Sequence, residues 1–389
     1  MTPPDLTQFR IERQANDLIH LIFDCPGRTM NVFSNVAIHE LGAFAEWLHC
    51  ADVRGVVIQS GKPSGFCAGA DLTELGLAYD MIIAAPPADR FDLAYSHFFP
   101  LSHAIRRLET AGKPVAAAIS GVALGGGCEL AMGAHYRVAT TSNRVMLGLP
   151  ECGVGLLPGA GGTQRMPRLV GPELGLDMLL LGRTLQNEEA KAAGLVNELA
   201  AEGEEVAAAE AWLLSDAAHA VQPWDQPGHR PRSHNEIEPN IQACRTRELR
   251  RMLGHEPAPL AILDCVELGL VQPIDGAIRS EMSVFAQLIQ RPEPRNMIRA
   301  MFLGKKAYEK SARDGSLEPT IIGANELISA AVRHAAAAHP DLEMAGFAQN
   351  HQSHAPVQDR CGVQFWICTR PDLTKALNAL ALEFTAIIA

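Results

Sequence analysis

Three consecutive glycines, Gly125, Gly126 and Gly127, stand between a short apolar run and an acid, and no other feature constrains this chain as much. Residues 115–119, Val-Ala-Ala-Ala-Ile, follow Pro114 and suit a buried strand. Residues 128–134 can then open a helix. A glycine turn between strand and helix lets a ligand approach the main chain, because no Cβ stands in the way. It also leaves N–H groups free at the helix start, where negative charge is stabilised. Glu129 lies in the first turn of that helix, and a second acid, Glu151, follows Pro150 after the next apolar segment. Two carboxylates brought to one cavity beside such a turn suit proton transfer. A plain glycine loop with a solvated first-turn acid has the same local pattern, so the chemistry needs support from the rest of the chain.

With 389 residues, 47% hydrophobic and 20% charged, the chain can bury a large core and carry an extension. Lys and Arg number 33 against 44 Asp and Glu, a net charge of −11, which argues against a nucleic-acid-binding surface. Nine cysteines include no C-x-x-C pair, and Cys361 and Cys368 do not fit a zinc spacing. No metal is therefore expected, and reduced thiols fit a cytoplasmic protein. Residues 114–128 are apolar but too short to span a bilayer, and no longer apolar run or basic-then-apolar leader is present.

Residues 9–13 and 18–23 read as two strands joined by a turn at Gln14-Ala15-Asn16-Asp17. Asn31 and Ser34 are candidate caps for a helix over residues 36–50, with Leu41, Phe44, Ala45 and Leu48 at helical spacing. Residues 54–59 suit a buried parallel strand. A glycine- and alanine-containing loop with Ala70 at its turn then leads to a second helix. Residues 79–90 hold two prolines and no clear period, which predicts a loop roofing a pocket, and residues 91–110 predict a helix. Residues 169–199 read as helical with a break at Gly182, and residues 222–239 as an extended loop. Further helices are expected over residues 257–270, 275–289, 321–338 and 372–388. The alternation over residues 54–199 predicts an α/β fold, built either of stacked β-β-α turns or of a βαβ sheet. Gly159-Ala160-Gly161-Gly162 lacks the G-x-G-x-x-G spacing and no P-loop occurs, so neither nicotinamide nor ATP is expected.

Four segments in order carry a resemblance. They are Gly65-Phe66-Cys67-Ala68-Gly69-Ala70-Asp71-Leu72, Lys113-Pro114 with residues 116–121, Gly125-Gly126-Gly127-Cys128-Glu129-Leu130-Ala131, and Pro150-Glu151 with Pro158-Gly159-Ala160-Gly161-Gly162-Thr163-Gln164-Arg165. Together they resemble the enoyl-CoA hydratase/isomerase (crotonase) superfamily, most of all the hydratase part of multifunctional fatty-acid oxidation enzymes. Met30-Asn31-Val32-Phe33-Ser34 resembles a turn of that part. Residues 292–310, with Arg295-Asn296-Met297-Ile298-Arg299 and Lys305-Lys306, resemble its linker helix, and no nucleotide motif follows in residues 311–389. The resemblance covers roughly residues 10–310.

The resemblance implies a crotonase-like spiral of repeated β-β-α units with a C-terminal helical extension. Its divisions are a core over residues 1–204, a helical region with the linker-like helix over 205–310, and an unrecognised helical tail over 311–389. It implies that Glu129 and Glu151 are catalytic, and that the backbone N–H groups of Ala70 and Gly126 form an oxyanion hole. Ala68, Asp71, Leu72, Gly125 and Gly159 would lie against the acyl-CoA substrate. The implied reaction adds water to 2-trans-enoyl-CoA to give 3-hydroxyacyl-CoA, with Glu129 gripping the water and Glu151 delivering the C2 proton. No cofactor is implied, coenzyme A being part of the substrate. Alternatives are a 3,2-enoyl-CoA isomerase using Glu151 alone, a thioester hydrolase on the same scaffold, or a non-catalytic acyl-CoA-binding scaffold. The presence of both acids favours the hydratase. The family further implies a homo-oligomer, trimer or hexamer, and a partner in a fatty-acid oxidation complex.

Overall fold

Phe9–Arg13 (β1) pairs antiparallel with Leu18–Phe23 (β2), Phe9 facing Phe23, as the hairpin reading expects. Every residue of β2 is buried, because the strand is covered on both faces. The computed structural model describes residues 2–252, 255–298, 357–358 and 364–365. Asn35–Cys50 (α1) follows, with Ser34 as its N-cap accepting the Ala37 N–H at 3.2 Å. Asn31 is not a cap. It is fully buried, and its Nδ2 donates to the carbonyls of Phe23 and Phe66 at 2.7 and 3.0 Å, tying two strands together.

A repeated unit then begins: a strand in a large sheet, a strand in a small sheet, and a helix. The first is Gly55–Ser60 (β3), Gly65–Cys67 (β4) and Leu72–Ala84 (α2). Arg90–Glu109 (α3) leads to the second, Val115–Ile119 (β5), Val122–Leu124 (β6) and Gly126–Gly133 (α4). In the third, Tyr136–Thr140 (β7) and Met146–Gly148 (β8), a 3-10 turn over Pro150–Val154 takes the helix's place. β3, β5 and β7 are parallel neighbours, and so are β4, β6 and β8. This is the spiral of stacked β-β-α turns, not a single βαβ sheet.

Gly162–Val170 (α5) and Pro172–Leu181 (α6) come next. Thr184–Leu185 (β9) closes the small sheet, Asn187–Ala192 (α7) follows, and Glu198–Ala200 (β10) ends the large one. Glycines at positive φ, Gly171 and Gly182, divide the stretch that reads as mainly helical. The expected loop over residues 79–90 is shorter than its prolines suggest. Leu75, Ala78, Tyr79 and Ile82 share one buried face of α2, so only residues 85–89 are irregular.

Further helices are Glu205–Leu214 (α8), His234–Met252 (α9), Pro257–Leu270 (α10) and Ile274–Leu288 (α11). The loop expected over residues 222–239 gives way to helix at His234, where the Glu236 carboxylate accepts the Ser233 N–H at 2.6 Å and the Ser233 hydroxyl at 2.8 Å. Trp212 and Leu213 of α8 pack on Ala116, Ala118 and Val138. The small residues of β5 let that helix lie close to the sheet.

Two compact units divide the chain, Met1–Arg295 and Asn296–Ala389. α8, α10 and α11, all beyond residue 204, belong to the first. The linker-like stretch is helical over Pro292–Met297 (α12), and its residues 299–310 lie outside the described residues. So do the helices expected over residues 321–338 and 372–388. In the second unit Val357–Gln358 (β11) pairs antiparallel with Gln364–Phe365 (β12).

Candidate active site

Strand register brings the site together. β4 and β6 are adjacent, Cys67 opposite Ala123. Ala70 and Gly126 lie three residues past that pair, so both chains leave the sheet in step, about 4.8 Å apart. A Cβ on Gly69 would stand 3.5 Å from the Gly126 nitrogen, which places the two turns side by side. Phe33 bridges to Ala70 in parallel fashion. Its N–H donates to the Gly69 carbonyl at 2.8 Å, and its carbonyl accepts the Asp71 N–H at 3.0 Å. That pattern turns the N–H of Ala70 away from Phe33. Gly126 opens α4, so its N–H has no acceptor within the helix. Among the described residues neither N–H is engaged.

The next rung supplies the acids. Leu124 of β6 faces Gly148 of β8, and Glu129 and Glu151 follow in the turns beyond. Glu129 is buried, and its Oε1 accepts the N–H groups of Ala160 and Gly162 at 2.7 and 2.8 Å. Burial pushes its carboxyl up to about 7, although those two donors and Arg165 pull the other way. Glu151 is different. Its Oε2 is shut off from solvent without a partner among the described residues. Burial first, then the charges of Glu129 and Glu281, raise it well above the usual carboxylate range. Gly125, at φ +52°, takes a conformation that disfavours a side chain, and a Cβ there would meet Glu151 Oε1 at 2.8 Å.

Glu281 of α11 is a further buried carboxyl beside these two acids, and it is absent from the sequence-based site. Its Oε1 accepts the Gly161 N–H at 2.6 Å, and its Oε2 accepts the Thr163 N–H at 3.0 Å and the Thr163 hydroxyl. Burial and the nearby Glu129 raise it to about 8. A signal was present. Ala277, Ile278, Met282 and Phe285 form the buried stripe of α11, and an acid within such a stripe is an anomaly.

Behind the acids, Arg165 is fully buried and grips Glu109 with Nε and Nη2 at 2.7 and 2.8 Å, while its Nη1 donates to the Ala160 carbonyl at 2.9 Å. Arg106 joins Glu109 to Asp225 and Asp275. A Cβ on Gly161, which lies at φ +92°, would stand 1.8 Å from Arg165 Nη1, so only glycine fits there.

The other expected contacts fall around this centre. Ala68 is exposed beside the Ala70 turn, and its N–H donates to the Asn31 carbonyl at 2.9 Å. Leu72 opens α2 and is half-buried. Asp71 is committed to the fold, accepting the Thr73 N–H at 2.9 Å as the N-cap of α2 and pairing with Arg28. Despite its burial, these donors and Arg28 hold its carboxyl below the usual range. Gly159 lies against Phe285, a Cβ there standing 3.2 Å from the ring, and that ring meets Phe98 edge-on at 5.0 Å. Among the described residues no group of three or more His, Cys, Asp and Glu side chains is disposed to hold a metal ion, and no helix is long and apolar enough to cross a membrane.

The chain belongs to the enoyl-CoA hydratase/isomerase family, whose model matches residues 14–222. It is 35% identical over 318 residues to the fatty acid oxidation complex subunit alpha of Shewanella loihica, a match covering 81% of this chain and 43% of that one. To the same subunit of Idiomarina loihiensis it is 31% identical over 325 residues, covering 79% and 42%. The chain thus spans less than half the length of these curated relatives. Among solved structures, the enoyl-CoA hydratase of Bacillus halodurans is similar with a TM-score of 0.53 at 19% identity, over 76% of this chain and 100% of that one. That of Mycobacterium avium subsp. paratuberculosis gives 0.52 at 18%, over 76% and 98%. At these identities the likeness is one of fold, the crotonase fold expected from the motifs.

Proposed function

We propose that the chain hydrates 2-trans-enoyl-CoA thioesters to 3-hydroxyacyl-CoA. The observation that carries this reading is the contrast between two neighbouring acids beside two open backbone donors. Glu129 is held by two N–H groups that favour its ionised form, while Glu151 has only its own backbone N–H to set against burial and the charges of Glu129 and Glu281, which raise it well above the usual carboxylate range and favour its protonated form.

In this reading the thioester oxygen lies between the N–H groups of Ala70 and Gly126. Negative charge builds on that oxygen as water attacks C3, and each donor aimed at it is worth about 10²–10³ in rate. Glu129 holds the water and takes one of its protons. Glu151 gives its own proton to C2, so hydroxyl and hydrogen are both delivered and the elements of water are added. Proton return from Glu129 to Glu151 resets the site. Ala68, Leu72, Gly125 and Gly159 border the substrate, with Phe98 and Phe285 behind Gly159 as an apolar wall. No cofactor beyond the substrate's own coenzyme A enters these steps. The names of those relatives, subunits of a fatty acid oxidation complex, support a partner subunit of such a complex, and we further propose a cytoplasmic homo-oligomer.

The test follows the loss of enoyl-thioester absorbance with crotonyl-CoA and longer 2-enoyl-CoAs. Glu129→Gln and Glu151→Gln should each lower kcat by about 10²–10⁴. Turnover of a 3-enoyl-CoA that survives Glu129→Gln would move the assignment to isomerisation, which needs only Glu151. Tight binding of CoA esters with no turnover would leave a scaffold.

A further inference from the structure

Glu281 takes no part in the proton transfers proposed above, yet it sits against the residues that make them. The four successive N–H groups of Ala160, Gly161, Gly162 and Thr163 are shared alternately between two carboxylates. Ala160 and Gly162 donate to Glu129, Gly161 and Thr163 to Glu281. Free donors of this kind exist because the start of α5 has no preceding turn to satisfy them. Since the two sets interleave, neither carboxylate can shift without moving the backbone that holds the other. We propose that Glu281 is a positioning residue: by gripping Gly161 and Thr163 it fixes the turn whose remaining N–H groups aim Glu129 at the substrate. The inference rests on the hydratase reading for its kinetic consequence, though not for its geometry.

The hydrogen-bond directions are consistent. Gln164 Nε2 donates to the Thr163 hydroxyl oxygen at 2.8 Å and to the Cys265 carbonyl at 2.9 Å. The Thr163 hydroxyl is therefore free to donate onward, and each of these contacts to the Glu281 carboxyl is one that it accepts. α11 is itself anchored on both sides of Glu281. Asp275 accepts from Arg106 Nε at 2.7 Å, and Phe285, one turn beyond Glu281, lies under Gly159. The helix thus braces the turn from Gly159 to Thr163 from one direction, as Arg165 and Glu109 do from another.

Glu281→Gln tests this at constant size, because an amide must set its NH2 against one of the backbone donors. Misaligning Glu129 by a fraction of an ångström should lower kcat about 10- to 100-fold, with KM within about 3-fold. The ionisable groups facing position 281 are Glu129 on α4, Glu151 on the 3-10 turn, Arg165 and Arg168 on α5, and Cys265 on α10. A neutral amide cannot acquire the charge that Glu281 gains as pH rises through about 8, a charge that raises Glu151. The high-pH limb of the kcat–pH profile, which Glu151 sets in the hydratase reading, should then move to lower pH, by roughly half a unit. Amide hydrogen exchange at residues 160–163 should quicken whether or not substrate is turned over. Thr163→Val, which loses only the hydroxyl donor, should lose about 3- to 10-fold in kcat, and Thr163→Ser should restore it; this pair serves if Glu281→Gln does not fold. Wild-type kcat and pH profile in Glu281→Gln would overturn the proposal, as would unchanged exchange at residues 160–163 or a Thr163→Ser no better than Thr163→Val. A wild-type protein that hydrates no enoyl-CoA would overturn the functional reading instead, and exchange would still report on the turn.

Discussion

Glu109 and Glu151 are both acids withdrawn from water, but their neighbours are opposite in kind. Glu109 has both oxygens occupied by Arg165 and a further contact from Arg106, so its charge is matched and its position fixed. Glu151 has no partner for Oε2 among the described residues, and its nearest ionisable company is two more acids. A carboxylate clasped by guanidinium groups is held in one place by them. One that is buried among like charges keeps its proton and can pass it on. Burial alone therefore does not mark a candidate acid, and the lack of a cation beside Glu151 among the described residues is the second observation that singles it out.

The sharpest test of that contrast is to remove the paired acid. Glu109→Leu would leave Arg165 and Arg106 buried without their counter-charge, at a cost of about 3–5 kcal/mol, read by denaturant unfolding. A variant as stable as wild type would mean that the network is decorative. Glu151→Gln should do the reverse and leave the fold intact. Carboxyls raised in the folded state contribute stability that is full below their ordinary value of 4.5 and is lost as pH rises through the folded value, about 7 for Glu129 and higher than usual for Glu151. Glu151→Gln removes its share of that loss. Its Tm relative to wild type should therefore climb between pH 5 and pH 8, by roughly 2–4 °C. A difference that does not change with pH would mean that Glu151 is not protonated by its surroundings. The smallest effect is expected at Asp71→Ala, which deletes a helix cap and costs about 1 kcal/mol with kcat and KM unchanged. A raised KM at unchanged stability would instead make Asp71 a substrate contact.

Legibility followed the range of the interactions. The β1–β2 hairpin, β5 and α10 could be read from local pattern, since alternation, a small-residue run and a helical period are properties of neighbours in the chain. α2 was partly misread because two prolines just beyond it masked the Leu75–Ala78–Tyr79–Ile82 face. Asn31 looked like a cap, for a buried asparagine that spans two strands has the same local sequence as one that starts a helix.

By itself the sequence determined the glycine turns, the acids Glu129 and Glu151, and the family that their order resembles, because these lie in contiguous motifs. Only the tertiary structure decided how they meet. Strand register aligned the Ala70 and Gly126 turns, and a pair of arginines neutralised Glu109 while none among the described residues was set against Glu151. It also brought Glu281 from 118 residues away onto Thr163. The physical reason is that a carboxyl's charge depends on what surrounds it in space, and that neighbourhood exists only once the chain has packed.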